Sequence, residues 1–280
     1  MFARVRLAFV PVLIALALYP AVLPAQEQER SDASNRDWRF SLQGSYLYGP
    51  INGYLQIPSG GEPGTTSRHR PKFSEIGIDD ANIADVVGRA AWHNEELYLG
   101  AQFIRLSGDD TLDDALTSHA VAFSAGTSVS SDVQLDWYRF GYRHRFAFGD
   151  DGSIRLYPSL GGALLDFDYR LDQSAGARSA RRSFVKANVQ FGLEVDWQPR
   201  NGPFTLELDL LGSPYVSSLP FIGYEDLIAK YRLIDTSHVS LEALAGVAFE
   251  QIYFKDNQDV PNRVHADLGP MLIVGINLRF

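Results

Sequence analysis

Residues 265–280 read HADLGPMLIVGINLRF, and this stretch decides the fold class. Its even positions run from Ala266 to Phe280 without a charge, while its odd positions include Asp267, Asn277 and Arg279. Successive strand side chains point to opposite faces, so the pattern predicts a strand with one apolar and one polar face. The alternation exceeds the roughly 9 to 11 residues that a tilted strand needs to cross a bilayer. Soluble strands average only ~5 to 6 residues.

The same alternation recurs along the chain, most clearly at 183–197 and 204–212. The connections between such segments are alternately short and long, as in a barrel with tight turns at one end and loops at the other. The number of strands is uncertain by two in either direction, because the alternation at 82–92 and 224–233 is the weakest. We predict ten strands, at 38–48, 82–92, 97–107, 132–146, 153–169, 183–197, 204–212, 224–233, 239–252 and 265–280.

These patterns favour an all-β fold, an up-and-down antiparallel transmembrane barrel of about ten strands, with eight or twelve as alternatives. Short turns then lie in the periplasm and longer loops outside the cell. A soluble sandwich also alternates, but its strands are shorter and its open face is normally rich in Lys, Glu and Thr. Residues 132–146 are ambiguous, because Val133, Leu135 and Trp137 favour the odd face and later aromatics the even one. We expect the first three to rise above the membrane, which turns Arg139, Arg143 and Arg145 inward.

The N-terminus predicts export. Residues 1–25 place Arg4 and Arg6 before an apolar run and end in Ala25, the order of a cleaved signal peptide. We expect a flexible mature N-terminus at 26–37 and the barrel at 38–280. The 280 residues contain no cysteine and carry a formal charge of −9, which excludes thiolate metal sites and argues against a nucleic-acid partner.

A signal peptide followed by alternating strands, with a last strand that ends in an aromatic residue, resembles the Gram-negative outer-membrane β-barrel proteins. The resemblance spans the mature chain and implies location in the outer membrane, with its lipid and lipopolysaccharide as neighbours. It also implies that the barrel assembly machinery recognises the last strand through Leu272, Val274, Ile276, Leu278 and Phe280.

If the apolar positions face lipid, the opposite positions face the lumen and carry both signs of charge. We interpret them as an internal lattice of ion pairs, because unpaired buried charges are costly. A narrow channel with the same lining is the alternative. The predicted lumen residues are Arg89, Arg139, Arg143, Arg145, Arg155, Lys186, Glu194, Asp196, Glu207, Asp209, Lys230, Arg232 and Glu242.

The first long loop is the candidate anion-binding site. Glycines that free backbone amides stand beside hydroxyls and cations, a composition that suits phosphate or sulfate. A solvated turn-rich loop is the plainer interpretation, since such motifs are weak. The candidate residues are Gly60, Gly61, Gly64, Thr65, Thr66, Ser67, Arg68, Arg70 and Lys72.

No catalytic or metal motif is present. The G-x-S-x-G and H-E-x-x-H patterns are missing. His119 with Ser118 and His265 with Asp267 could each form an extracellular pair for a hydrolase, but neither pair lies in a known catalytic motif. The chain is similar to omptin proteases in size and strand number alone, so no catalytic residue is transferred. We therefore expect a structural or surface-binding barrel without cofactor or metal. A narrow channel and a surface hydrolase acting on lipid or peptide are the alternatives, and the oligomeric state is open.

Overall fold

A computed structural model describes residues 38–56, 70–118, 121–149, 152–199, 202–216, 218–257 and 262–280. The predicted signal peptide and flexible N-terminus lie outside these residues. Among the described residues, no helix is long and apolar enough to cross a membrane.

Strands account for nearly every described element. Ten are long, and three short ones, β4, β5 and β7, accompany them, together with one turn of 3₁₀ helix, η1 (Phe73–Ile76). The strands are β1 (Arg39–Gln56), β2 (Asp80–Trp92), β3 (Glu95–Thr111), β4 (Leu116–Ser118), β5 (Val121–Phe123), β6 (Ser128–His144), β7 (Phe146–Phe148), β8 (Ile154–Gln173), β9 (Ser179–Trp197), β10 (Phe204–Gly212), β11 (Phe221–Asp235), β12 (Ser240–Lys255) and β13 (Arg263–Arg279).

The ten long strands form one closed antiparallel barrel. Their order is β6-β3-β2-β1-β13-β12-β11-β10-β9-β8, and the pairing of β6 with β8 closes the ring. Each strand pairs with its neighbours in sequence, and β1 pairs with β13, as an up-and-down barrel requires. The predicted fold class and the count of ten are therefore confirmed. Closing the sheet into a ring pairs the strand edges, except along the part of β9 that extends beyond its pairing with β10.

The predicted lipid-facing side of the last strand was wrong over its first residues. Between Leu268 and Met271 β13 advances three residues while β12 advances two, so a bulge at Gly269 and Pro270 adds one residue. The bulge exchanges the two faces of the strand. Ala266 and Leu268 consequently lie inside the barrel and are buried.

The ambiguous fourth segment keeps a single register. Val133, Leu135 and Trp137 lie on the same inward face as Arg139 and Arg143, and all five are buried. The apolar odd residues pack inside the barrel, and no bulge shifts β6 relative to β3. The predicted strand ends earlier than expected, because Arg145 separates β6 from β7.

The barrel interior is divided into an apolar half and a charged half. The half nearest the loops holds one buried hydrophobic cluster, which includes Trp137, Phe167 and Phe254, each at most 1% exposed. The half nearest the turns contains the buried charges. The expectation of a charge-filled lumen thus fails for the loop half. Alternation alone did not reveal this, because the pattern inverts near the loops: on β6 the apolar Val133 and Leu135 face inward, while Asp132 and Gln134 face outward.

The first long loop contributes to the apolar half. Phe73 and Ile76 of η1 are fully buried in the cluster. Gly77 has φ 77°, and a Cβ atom on Gly108 would lie 1.7 Å from the Gly77 carbonyl oxygen. Only glycines allow this approach of η1 to β3. The contact fixes the 3₁₀ turn across the loop end of the lumen.

Candidate functional site

The turn half of the lumen contains a cavity of about 300 Å³, which we call the charged chamber. Buried carboxylates and cations of the strands line its inner part. Its outer part is lined by the turn residues His93, Asn94 and His238 and by Phe280. Two short turns, at 93–94 and 236–239, border its mouth, so the chamber lies at the periplasmic end of the barrel.

Arg143 is the centre of the chamber's ion-pair network. Its guanidinium bonds Glu96 through Nε and Glu194 through Nη1. Arg89 lies beside this pair, with Nη2 3.6 Å from Glu194 and Nη1 3.3 Å from the side-chain oxygen of Gln43. Side chains of β2, β3, β6 and β9 therefore meet in one network. Its carboxylates offset the cost of burying two guanidiniums.

Two further pairs complete the charge balance deeper in the barrel. Arg139 Nη2 donates to both carboxylate oxygens of Asp85 at 2.9 and 2.8 Å, and its Cζ lies 4.8 Å from the Trp137 ring centroid. Lys230 bonds Glu207, and both side chains are almost fully buried. Arg139 lies at the boundary between the charged and the apolar half. Cation–π contact with Trp137 offsets part of its desolvation.

Three buried carboxylates have the spacing of a metal site. Glu194, Asp196 and Glu207 offer oxygens within 4.8 Å of one another. Arg143, Arg155 and Lys230 pair with these carboxylates one to one, and Arg155 Nη2 lies 3.2 Å from Asp196. Three cations already offset three negative charges, so this cluster does not require a metal for charge balance.

The mouth of the chamber is cationic. Arg145 lies in the connection between β6 and β7 and donates to the side-chain oxygen of Asn94 at 2.9 Å. Burial lowers the pKa of Arg145, and the nearby Arg39 and Arg155 lower it further. Arg39 donates to the His93 carbonyl at 3.1 Å. In the described part of the chain, neither Arg39 nor Arg145 has a carboxylate partner.

The structure brings most of the predicted lumen residues together, with three departures. Lys186 lies apart from the network, in the loop half against the Phe254 ring. Arg232 pairs instead with Asp235 next to the turn, at 2.9 Å. Asp209 lines a small pocket beside the chamber with Tyr98. Arg279 and Asn277 hold Glu242 at 3.0 and 2.8 Å.

Sequence reasoning missed several members of the interior. Glu96 was assigned to a turn, although β3 begins at Glu95 and carries it inward. Glu250 was missed too, and it accepts from the Gln102 amide at 3.0 and 3.2 Å when the amide nitrogen points toward it. Glu250 falls on the same even positions of β12 as Glu242. That spacing was the available signal.

The outer surface of the barrel is a band of exposed apolar side chains. Many of them are more than half exposed to solvent, which is unfavourable in water and favourable in lipid. Aromatic side chains border the band, with Trp38, Trp92 and Trp197 toward the turns and Tyr46 and Tyr48 toward the loops. The more exposed members include Leu97, Leu99, Phe140, Leu160, Val185, Leu272 and Val274. A closed barrel pairs backbone groups between strands, as a bilayer requires, and this apolar band suits its outer face to lipid.

This chain is a closed β-barrel of the transmembrane type. Its last strand presents Leu272, Val274 and Ile276 to lipid, each at least half exposed, and Phe280 is 57% exposed. Leu278 is only half-buried. Two backbone hydrogen bonds join the first and last strands at the turn end: Phe280 N donates to the Phe40 carbonyl at 2.9 Å, and Phe40 N donates to the Phe280 carbonyl at 3.4 Å.

Above the apolar band, three neighbouring strands carry an aromatic row on their outward face. Tyr54, His265 and Tyr253 are register partners on β1, β13 and β12. The His265 ring lies 5.5 Å from the Tyr54 ring and 6.0 Å from the Tyr253 ring, both nearly perpendicular. One step nearer the loops, Arg263 and Lys255 are also register partners.

We call Tyr54, Arg70, Tyr253, Lys255, Arg263 and His265 the loop-end patch. Arg70 belongs to it because its Cζ lies 5.4 Å from the Tyr54 ring centroid. Across the described ranges, neither Lys255 nor Arg263 has a carboxylate within 4.0 Å. The nearby Asp267 contacts His265 at 3.0 Å.

The predicted anion-binding loop is only partly described. Gly60, Gly61, Gly64, Thr65, Thr66, Ser67 and Arg68 lie outside the described residues. Arg70 contacts Tyr54, and Lys72 lies 3.9 Å from Glu75. Of the two hydrolase pairs, His265 and Asp267 are in contact, whereas His119 lies outside the described residues and Ser118 is buried.

No protein-family model and no curated protein matches this sequence. Among solved structures, the chain is similar to the outer-membrane protease OmpT of Escherichia coli at 11% identity and TM-score 0.39, covering 90% of this chain and 99% of that one. It is similar to Ail of Yersinia pestis, solved with the heparin analogue sucrose octasulfate, at 11% identity and TM-score 0.37, covering 87% and 99%. OprG of Pseudomonas aeruginosa matches at 9% identity and TM-score 0.35, covering 88% and 97%. These values transfer no activity to the chain.

Proposed function

We propose that this protein is a closed outer-membrane barrel that binds an anionic glycolipid, lipopolysaccharide of the outer leaflet, at its loop-end patch. The loop-end patch is the observation that carries the proposal. Its aromatic row lies directly above the lipid-facing band, and its cations lie one step further from the membrane. Sugars and phosphates of a glycolipid headgroup occupy that height.

The chemistry of the patch matches such a headgroup. Lys255 and Arg263, which have no carboxylate within 4.0 Å among the described residues, can bind phosphate oxygens, and the guanidinium can do so through two parallel hydrogen bonds. The ring faces of Tyr54 and Tyr253 that Arg70 and Tyr215 leave open offer apolar contact to sugar rings. The predicted loop around Gly60–Ser67 follows the same strand β1 and supplies further donors in this proposal.

The apolar core supports binding over conduction. A conducting barrel needs a polar path along its axis. Here Trp137, Phe167 and Phe254 pack across the loop half with almost no exposed surface. The charged chamber then has its described opening only at the turn end.

The test is retention of the folded barrel on immobilised lipopolysaccharide. Lys255→Gln with Arg263→Gln removes two patch cations without touching the core, so we expect at least a tenfold weaker retention. Arg105→Gln is the matched control, because Arg105 is an exposed outward cation on β3 that pairs with Asp136. Equal retention of both variants and the parent chain would remove the loop-end patch from the proposal. Deletion of Gly60–Lys72 tests the loop separately.

We further propose that the barrel assembly machinery recognises the last strand. The exposed residues Leu272, Val274, Ile276 and Phe280 present one continuous apolar edge to a partner in the membrane.

A further inference from the structure

The barrel wall is incomplete on one side. β10 has 9 residues and β9 has 19. They pair only from Phe191 opposite Gly212 to Trp197 opposite Leu206. Over the rest of β9, its edge toward β10 has no strand partner among the described residues. Residues 213–216 and 218–220 lie in the connection beside it, where Asn188 of β9 bonds the Pro220 carbonyl. We call this place the wall notch.

The side chains behind the wall notch are polar, unlike their neighbours. On β8 the inward residues at this height are Ala163 and Leu165. Their register partners on β9 are Asn188 and Lys186. One step toward the turns, Gln190 is fully buried, and neither of its amide atoms has a hydrogen-bond partner. Burying such a group without a partner is costly.

Two other polar groups lie on the same inward face of β9. Asn188 donates to the Pro220 carbonyl at 3.0 Å, while its Oδ1 atom has no partner. Lys186 Nζ lies 5.7 Å from the Phe254 ring and has no carboxylate within 4.0 Å across the described chain. A lysine beside an apolar core therefore lacks a counter-charge. These three side chains can together satisfy one small anionic group.

The rim of the wall notch is apolar and faces lipid. Val185 and Val189 project outward from β9, and both are about half exposed. Tyr215, Val216 and Leu219 in the covering connection are also exposed. Beyond the end of β10 at Gly212, the space between β9 and β11 is about 10 Å wide, which is two strand spacings. The connection after β10 occupies part of this space. That width suits a molecule with one alkyl chain better than one with several.

We propose that the wall notch binds one fatty carboxylate from the outer leaflet. Its carboxylate pairs with Lys186 and accepts from Gln190, and its alkyl chain lies along Val185 and Val189. One lysine matches the single charge of a carboxylate. The proposal shares no residue with the loop-end patch, so each stands or fails alone.

The experiment is native mass spectrometry of the full folded barrel released from an uncharged detergent, after incubation with hexadecanoate. We expect a one-to-one adduct with the parent chain. Lys186→Gln should reduce adduct formation at least tenfold, because the counter-charge is lost. Arg105→Gln is the matched control, since Arg105 is an exposed outward cation on β3, which pairs with β2 and β6 and not with β9, and its adduct should be unchanged.

A second variant separates loss of the site from loss of the fold. Gln190→Leu removes the unpartnered amide, so we expect a higher unfolding temperature together with a weaker adduct. An adduct equal in the parent chain, Lys186→Gln and Gln190→Leu would overturn the proposal. So would an equal adduct with uncharged methyl hexadecanoate, because the proposed contact is with the carboxylate.

Discussion

Substitution of Phe254 by alanine tests whether the loop half of the lumen is packed. The Phe254 ring is 1% exposed, and its centroid lies 4.8 Å from the Phe184 ring centroid. Lys186 Nζ lies 5.7 Å from the Phe254 ring centroid. Loss of its transfer free energy costs about 2 kcal/mol. A cavity of roughly 80 Å³ at ~24 cal/mol per Å³ adds about 2 kcal/mol. We expect the free energy of unfolding to fall by about 4 kcal/mol.

The matched control is Phe249→Ala on the same strand. Phe249 points outward and is 49% exposed, so lipid or detergent fills the space that its ring leaves. We expect a loss of about 1 kcal/mol, which is the transfer contribution of a half-covered ring. Urea unfolding in lipid vesicles, followed by heat-modifiable migration, measures both variants. Equal costs for the two variants, or a cost below about 1 kcal/mol for Phe254→Ala, would refute a packed interior.

Three further predictions concern the network and the ends of the chain. Lys230→Met should lower the free energy of unfolding by about 3–5 kcal/mol, because it leaves Glu207 buried without its partner. The double variant Lys230→Met with Glu207→Leu should recover most of this stability. Urea unfolding of both variants measures the two losses, and an undiminished loss in the double variant would contradict the prediction. Phe280→Ala should lower the folded fraction in cell envelopes, measured by heat-modifiable migration, while Phe148→Ala, also exposed at the turn end, should not. N-terminal sequencing of the exported protein should begin at Gln26, and an uncleaved chain would contradict the signal peptide.

The sequence predicted the barrel because lipid imposes a strict pattern on its outer face. The bounds of β10, Phe204–Gly212, matched the structure, since Glu207 and Asp209 alternate with leucines there. The ends of other strands extended beyond the prediction, as at Ser128 and Gln173. These residues lie above the apolar band, where no lipid enforces alternation.

The interior was harder to predict. Apolar residues such as Ala266 and Leu268 fit either face, and only the bulge at Gly269 assigns them inward. The sequence could not predict the wall notch. A short β10 shows up in the pattern, but only the strand pairing in the structure shows that the edge of β9 facing β10 is left open. Glu96 was missed because a turn sequence and the first residues of a strand look alike.

Single-channel recording tests the central claim of a closed barrel most directly. The protein is first shown to be folded by its heat-modifiable migration and is then added to planar bilayers at high protein load. A packed loop half predicts no discrete current steps. Reproducible steps of one unit size, shifted in ion selectivity by Arg143→Gln, would show a continuous polar path and contradict the account.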